Sequence, residues 1–303
     1  MILNRTSLGI VSAIVSASFY GFVPICVRTA YNSGIPAIES TLTRTVFVAT
    51  AFALIALLLG EKLSIPKTAW PVFLGQCVGT LLVSIAYLAS VQFIPVGLAV
   101  IIFYLSPVLI MLIAPLVEKR APGLLRILIA VLAFIGLAIA VGPSFDRLDM
   151  RGITLAFAAA FGYALQFFTG RALSHHMPPS ASGSLVHAAI LPPILVIALY
   201  LSSGSLQFLH GGSAMAPGWL ALAALACVYL VAYLVQMLSL RFAPASTVAP
   251  FFNVEPVVTT IVAALLLGER MEVNQYLGGT IVLAALLAST LIGRAAKTAG
   301  AGS

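Results

Sequence analysis

Charge is scarce in this chain. Of its 303 residues, 15 are lysine or arginine and 8 are aspartate or glutamate, so 8% are charged where a soluble domain carries roughly a quarter. With 61% hydrophobic residues and a mean hydropathy of +1.14, an ordinary soluble fold is excluded. Cysteine is also rare: Cys26, Cys77 and Cys227 all fall in apolar runs, where a free thiol behaves as a small apolar group, and they provide no disulfide framework. The four histidines lack zinc spacing, with His175 and His176 in one connection, His210 in another and His187 inside an apolar run. No metal and no cofactor is expected. Paired carboxylates, a nucleophile elbow and a phosphate loop are all missing, which disfavours an enzyme.

What the chain has is long apolar runs. They lie at about 7–29, 37–59, 69–91, 96–117, 123–142, 152–173, 181–202, 217–240, 245–267 and 273–293, each near the ~20 residues that cross hydrocarbon as a helix. The alternation of a transmembrane barrel is absent from them, so the predicted fold is an all-α integral membrane bundle of ten helices. Connections are too short for a separate soluble domain. The first run is too long for a signal-peptide core and lacks a clear cleavage site, so it is expected to stay in the mature chain.

Loop charges set the expected orientation. With the N-terminus in the cytoplasm, that side collects Arg5, Lys62, Lys67, Lys119, Arg120, Arg126, Arg171, Arg241, Arg294 and Lys297. The other side has only Arg28, Arg147, Arg151 and Arg270, and Arg44 lies within a span. Both termini are therefore expected inside, in a multi-pass protein of a bacterial-type inner membrane. The formal charge of +7 reads as topology charge, with the lipid bilayer and a small-molecule substrate as partners and no nucleic acid. A monomer is the expected state.

The spans occur twice. FIPVGLAVIIFYLSPVLIML around Pro95 matches FAPASTVAPFFNVEPVVTTI around Pro244, with Pro95 to Pro107 and Pro244 to Pro256 both 12 positions apart and the copies offset by 149. Earlier spans align at an offset of 143: Gly9 on Gly152, Tyr20 on Tyr163, Arg28 on Arg171, Arg44 on His187. The longer connection at 203–216 absorbs the difference. Each half is five helices, residues 1–145 and 146–294, followed by a flexible tail at 295–303. An odd number of spans inverts the second half, and inverted repeats are a structural route to alternating access.

The segment NVEPVVTTIVAALLLGERMEVNQYLGGTIVLAAL resembles the second repeat of the drug/metabolite transporter superfamily, EamA type. Its pattern of Glu-Pro, an apolar run, Leu-Gly-Glu and a glycine-containing last helix falls on Glu255, Pro256, Leu267, Gly268, Glu269, Gly278 and Gly279. The first repeat diverges, with Ser106-Pro107 for Glu-Pro and Val117-Glu118-Lys119 for Leu-Gly-Glu. The resemblance implies a ten-span carrier, and the chain looks like the aromatic amino-acid exporters of that superfamily.

Polar side chains inside a membrane helix are costly unless they face protein or a water-filled cavity. Gln76, Thr80, Ser84 and Tyr87 form a stripe on the third span, and Tyr229, Tyr233 and Gln236 one on the eighth; the repeat superposes Thr80 on Tyr229, Ser84 on Tyr233 and Tyr87 on Gln236. These stripes read as a cavity wall, or as hydrogen bonds between neighbouring helices. Gly75 and Gly79 beside the first stripe read as close helix packing. Tyr20 and Tyr163 are equivalent and well inside their spans. Arg44 fits a substrate carboxylate, but snorkelling or a pair with Glu39 is equally open; His187 reads as a packed, hydrogen-bonded histidine or a proton relay. Glu255, the acidic residue nearest the middle of a span, suits an amine, a proton or a structural role. The helical wheel leaves open which face of the ninth span lines the cavity. Pro107 and Pro256 should kink their spans as hinges, with Pro95 and Pro244 at the starts.

The expected function is export of a small amphipathic metabolite, aromatic amino acids favoured. A drug, lipid or nucleotide-sugar carrier is the alternative, and an integral-membrane enzyme is a further one. One intramembrane carboxylate is thin provision for a proton antiporter, so facilitated transport is an equal reading.

Overall fold

The computed structural model describes residues 4–119, 123–142, 148–210, 216–267 and 272–300. Nine helices among these are long and apolar enough to cross a membrane: span 1 (Arg5–Asn32), span 2 (Ala37–Leu58), span 3 (Lys67–Ser90), span 4 (Val96–Val117), span 5 (Leu124–Val141), span 6 (Met150–Leu173), span 7 (Pro179–Leu201), span 8 (Ala216–Phe242) and span 9 (Ala245–Leu266). Span 10 (Val273–Gly300) carries the shorter apolar stretch Val273–Ala288. The protein is thus the expected all-helical ten-span bundle. Its outer surface is leucine-rich, with Leu116 and Leu265 about four-fifths exposed, a surface suited to lipid chains.

Helix packing shows the repeat. Span 1 packs on span 8 and span 3 on span 6, spans 2 and 7 and spans 5 and 10 pair with each other, and span 4 packs mainly on span 6 as span 9 does on span 1, with a lighter contact between 4 and 9. Exchanging each span with its equivalent five places along turns the 1–8 pair into the 6–3 pair and the 4–6 pair into the 9–1 pair, and leaves the other pairs intact. A pseudo-two-fold axis between inverted halves requires that pattern. The boundary expected at 145/146 lies outside the described residues, as do Gly268 and Glu269. Span 10 continues as helix to Gly300, past the expected start of the tail.

Close approach depends on glycine at two of these contacts. A Cβ on Gly79 would lie 2.7 Å from the Gly162 carbonyl oxygen and 2.9 Å from the Gln166 nitrogen, so spans 3 and 6 touch backbone to backbone. A Cβ on Gly278 would meet the Gly136 carbonyl oxygen at 2.3 Å between spans 10 and 5. Small residues at such contacts are what membrane helices use in place of a hydrophobic driving force.

Spans 4 and 9 break where the proline pairs predict. In span 4 the helix Val96–Phe103 stops and restarts at Ser106, with Pro107 in its first turn; in span 9 a 3-10 stretch, Ala249–Asn253, precedes the helix from Val254. Pro107 and Pro256 cannot donate to the carbonyls of Phe103 and Phe252. Pro95 and Pro244 stand in extended conformation immediately before these helices. A third break was not expected. Span 1 stops at Tyr20 and restarts at Val23, with Pro24 in the new first turn. Here the Gly21 carbonyl accepts a hydrogen bond from Thr259 Oγ1 at 3.0 Å, so the break in span 1 rests on span 9 just beyond its own.

Both ends of the bundle are tied by glutamates. At the end that holds the N-terminus, Glu118 accepts from Ser246 Oγ and Glu61 from Ser180 Oγ. At the opposite end the buried Glu39 accepts from Ser202 Oγ at 2.8 Å, Gln207 N at 3.1 Å and Phe208 N at 3.0 Å.

Candidate functional site

The predicted polar residues converge on the middle of the bundle in two adjoining groups. The first lies among spans 1, 2, 3, 6, 7 and 8. Gln76 is fully buried; its Nε2 donates to the Tyr233 hydroxyl at 3.2 Å and its Oε1 accepts from Thr169 Oγ1 at 2.7 Å. One turn along span 3, Thr80 Oγ1 accepts from Gln166 Nε2 at 3.0 Å and donates to the Gln76 carbonyl at 2.8 Å. The stripe on span 3 therefore bonds spans 6 and 8 rather than lining open space at this level. For Gln76 and Thr80 the helix-bonding alternative describes the observed contacts.

Towards the other end the partners thin out. Arg44 places its guanidinium 4.0 Å above the Tyr229 ring and donates from Nη2 to Ser84 Oγ at a long 3.4 Å, while its Nε is buried without a partner. The alternative pairing with Glu39 is not adopted, because that carboxylate caps the turn after span 7. Tyr20 donates its hydroxyl to Gln236 Oε1 at 2.8 Å and sets its ring edge-on to Tyr229 at 5.6 Å. His187 meets the carbonyl of Gly183 through Nδ1 at 2.8 Å. A carbonyl only accepts, so Nδ1 carries a proton, and in the neutral ring Nε2 is left as an acceptor. That Nε2 is buried and unpartnered, with the ring 4.7 Å from Tyr233 and 5.8 Å from Tyr229.

The second group gathers on the breaks of spans 4 and 9. Phe103 lies 5.2 Å from both Tyr87 and Tyr163, and Tyr163 continues to Phe167 at 4.7 Å and to Phe252 at 6.4 Å. Glu255, only partly buried, is within hydrogen-bonding reach of the Tyr104 hydroxyl. No ion pair joins Arg44 or Glu255 to an opposite charge among the described residues; the pair at 2.7 Å is Arg151–Asp149, at the start of span 6.

Seven buried polar atoms in the described residues have no hydrogen-bond partner: Arg44 Nε, Ser106 Oγ, Tyr163 OH, His187 Nε2, Gln236 Nε2 and both side-chain atoms of Asn253. All belong to this central layer or its broken helices. Each such atom costs roughly 1–3 kcal/mol, so a cluster of them at one level is what a polar ligand would relieve.

Several members were missed from sequence. Thr169 follows Gln166 by three residues and closes the network on Gln76. Asn253, at the end of the 3-10 stretch in span 9, is fully buried with neither side-chain atom partnered. Among the described residues no cluster of three metal-ligating side chains occurs.

Comparison with known proteins agrees with this architecture. A solved crystal structure superposes with a TM-score of 0.82 over 94% of this chain and 98% of its own, at 15% identity, a likeness of fold alone. The threonine/homoserine exporter RhtA of Salmonella typhimurium strain LT2 and that of Escherichia coli K12 are each 28% identical over 209 residues, 67% of this chain. The chain spans 65% of the length of these curated relatives. The profile of the EamA-like transporter family matches twice, over residues 7–142 and 150–291. Two matches cover both five-helix halves and nearly the whole chain, and the protein belongs to the EamA-like transporter family.

Proposed function

We propose that this transporter exports amino acids from the cytoplasm across a bacterial inner membrane, by alternating access between its two inverted halves, 1–145 and 146–294. The observation that supports this most is the cluster of unpartnered polar atoms walled by Tyr20, Tyr87, Tyr163 and Tyr229 at the centre of the bundle. A small solute with both polar and apolar parts would satisfy the atoms and pack on the rings. Pro107 and Pro256, with Pro95 and Pro244 before them, are the hinges in this reading, because backbone freed in mid-membrane bends at little cost beside a cavity.

The Gln76–Tyr233 network serves as the closed gate on the side of the N-terminus. Ser84, Tyr87, Arg44 and Glu255 keep partial exposure on the other side of it. The bias of lysine and arginine to the N-terminal side favours both termini in the cytoplasm, and the state described is then closed inward. Catalysis has little support, since among the described residues no nucleophile, base and orienting group stand together.

Aromatic amino acids suit the wall of rings. Small hydroxylated amino acids are the second reading, favoured by the threonine/homoserine exporters among the relatives and by the free acceptor at His187 Nε2. Overexpression in cells challenged with phenylalanine analogues or with threonine separates the two. Unchanged tolerance to both, with protein present in the membrane, would overturn amino-acid export.

A further inference from the structure

Two opposite charges stand inside the bundle without an ionic partner among the described residues. Arg44 has five N–H donors and one long hydrogen bond to a neutral hydroxyl, with a ring face as its other contact. Glu255 has a tyrosine hydroxyl. Uncompensated charges in such surroundings are expensive, and the economical arrangement would pair them with each other. They are not paired, yet they flank one short stretch of the bundle: Arg44 lies over the Tyr229 ring, Tyr20 stands edge-on to that ring at 5.6 Å, and a Cβ on Gly21 beside it would lie 3.0 Å from the Glu255 carbonyl oxygen.

A cation alone would leave Arg44 unmet, and an anion alone would leave Glu255 unmet. A ligand with both signs completes the two at once. We propose that Arg44 and Glu255 are the two poles of a zwitterion site, Arg44 receiving the carboxylate and Glu255 the ammonium of an α-amino acid. The assignment deepens the amino-acid reading above and rests on it. The guanidinium fork matches a carboxylate in two parallel hydrogen bonds, which a serine hydroxyl at 3.4 Å does not saturate. Glu255 keeps accepting positions free beside the one that Tyr104 meets. The rings of Phe103, Tyr87 and Tyr163, adjoining Tyr104, then take the side chain.

The poles lie on different repeats, at positions whose equivalents are His187 and Ser106. No second copy of the charge pair exists by symmetry, so one ligand binds in one orientation.

The test is equilibrium binding to purified full-length protein in lipid nanodiscs. The probes are L-phenylalanine, L-threonine, 2-phenylethylamine, which lacks the carboxylate, and 3-phenylpropionate, which lacks the ammonium. The wild type should bind phenylalanine about thirtyfold or more tightly than either truncated analogue, the scale of an unmet buried charge. Arg44→Gln should erase the advantage over phenylethylamine but keep that over phenylpropionate. Glu255→Gln should do the reverse, and Arg44→Lys should keep part of the carboxylate preference.

The analogue series on wild type needs no variant. Equal binding of phenylalanine and phenylethylamine there overturns the proposal even if a variant fails to fold. If wild type prefers the zwitterion but both variants keep that preference, the poles are wrong and amino-acid export stands. If neither amino acid binds at all, the functional reading falls and the assignment with it.

Discussion

Gln76→Leu is the substitution whose effect the described contacts define most fully. The side chain is fully buried and joins span 3 to span 8 through Tyr233 and to span 6 through Thr169. Leucine removes both bonds while roughly keeping the volume. Thr169 retains its bond to the Leu165 carbonyl at 2.7 Å, whereas the Tyr233 hydroxyl loses its donor. Intramembrane side-chain hydrogen bonds average about 0.6 kcal/mol and reach about 1.7, so the two bonds account for about 1 kcal/mol. The stranded hydroxyl adds about 1 kcal/mol more, for a total near 2. Tyr233→Phe alone should cost about 1 kcal/mol by leaving Gln76 Nε2 unmet. The double variant strands neither partner, so it should be less destabilised than the sum by about 0.6–1.7 kcal/mol. Reversible unfolding in mixed micelles, titrated with denaturing detergent, measures all three. A coupling energy within about 0.3 kcal/mol of zero would refute the reasoning, because contacts made in the dominant state must couple.

Four other outcomes are expected. Gly79→Ala should lower stability by about 1–3 kcal/mol, since its Cβ would meet the Gly162 oxygen at 2.7 Å and backbone cannot step aside; unchanged unfolding in the same micelles would show that spans 3 and 6 are further apart. Glu39→Gln should loosen the turn after span 7, because an amide offers one accepting oxygen where the carboxylate serves Ser202, Gln207 and Phe208; faster hydrogen exchange at 202–208 reports it, and unaltered exchange counts against the cap. Cys227 is exposed within span 8 and should resist charged, membrane-impermeant thiol reagents until detergent strips the lipid; labelling in intact membranes would put water at that face. A fluorescent protein fused after Ser303 should glow while a phosphatase at the same place stays inactive, and the reverse would invert the topology.

The fold was legible because its signals are additive. Each span is a run of some twenty residues, so one polar intruder such as Gln76 or Arg44 does not hide it, and the offset of 149 was visible through the proline pairs. That the predicted polar residues come together was legible, their contacts less so. Tyr20, Arg44, Ser84, His187, Tyr229, Tyr233 and Gln236 do gather, and Tyr87, Tyr163 and Glu255 adjoin them. Gln76 and Thr80 were placed on the right face, but face alone does not tell bonding from lining; only the presence of Thr169 and Gln166 opposite decides it. The span 1 break lacked a repeat signal: residue 167, equivalent to Pro24, is phenylalanine, so nothing paired with that proline.

The halves are symmetric in backbone and asymmetric in chemistry, and the two facts bear on transport together. The helix pairs map onto one another as a two-fold axis requires, and spans 4 and 9 break at matching positions. Under the alternating-access proposal such a bundle would have two related arrangements, one with each half in the other's conformation. If chemistry were equally symmetric, a ligand would have no preferred orientation and neither half would be distinguished by what it holds. Instead Arg44 faces its counterpart His187, Ser106 its counterpart Glu255, and Tyr104 its counterpart Asn253. A solute that contacts Arg44 and Glu255 would tie span 2 of the first half to span 9 of the second. It would then affect the exchange only through any difference in how well it meets those two residues in each arrangement. Substituting the symmetric counterparts, His187→Arg or Ser106→Glu, should therefore alter ligand orientation and selectivity while leaving the ten-span bundle intact. Transport of the same amino acid at the same rate by both variants would mean that the asymmetry is incidental to the site.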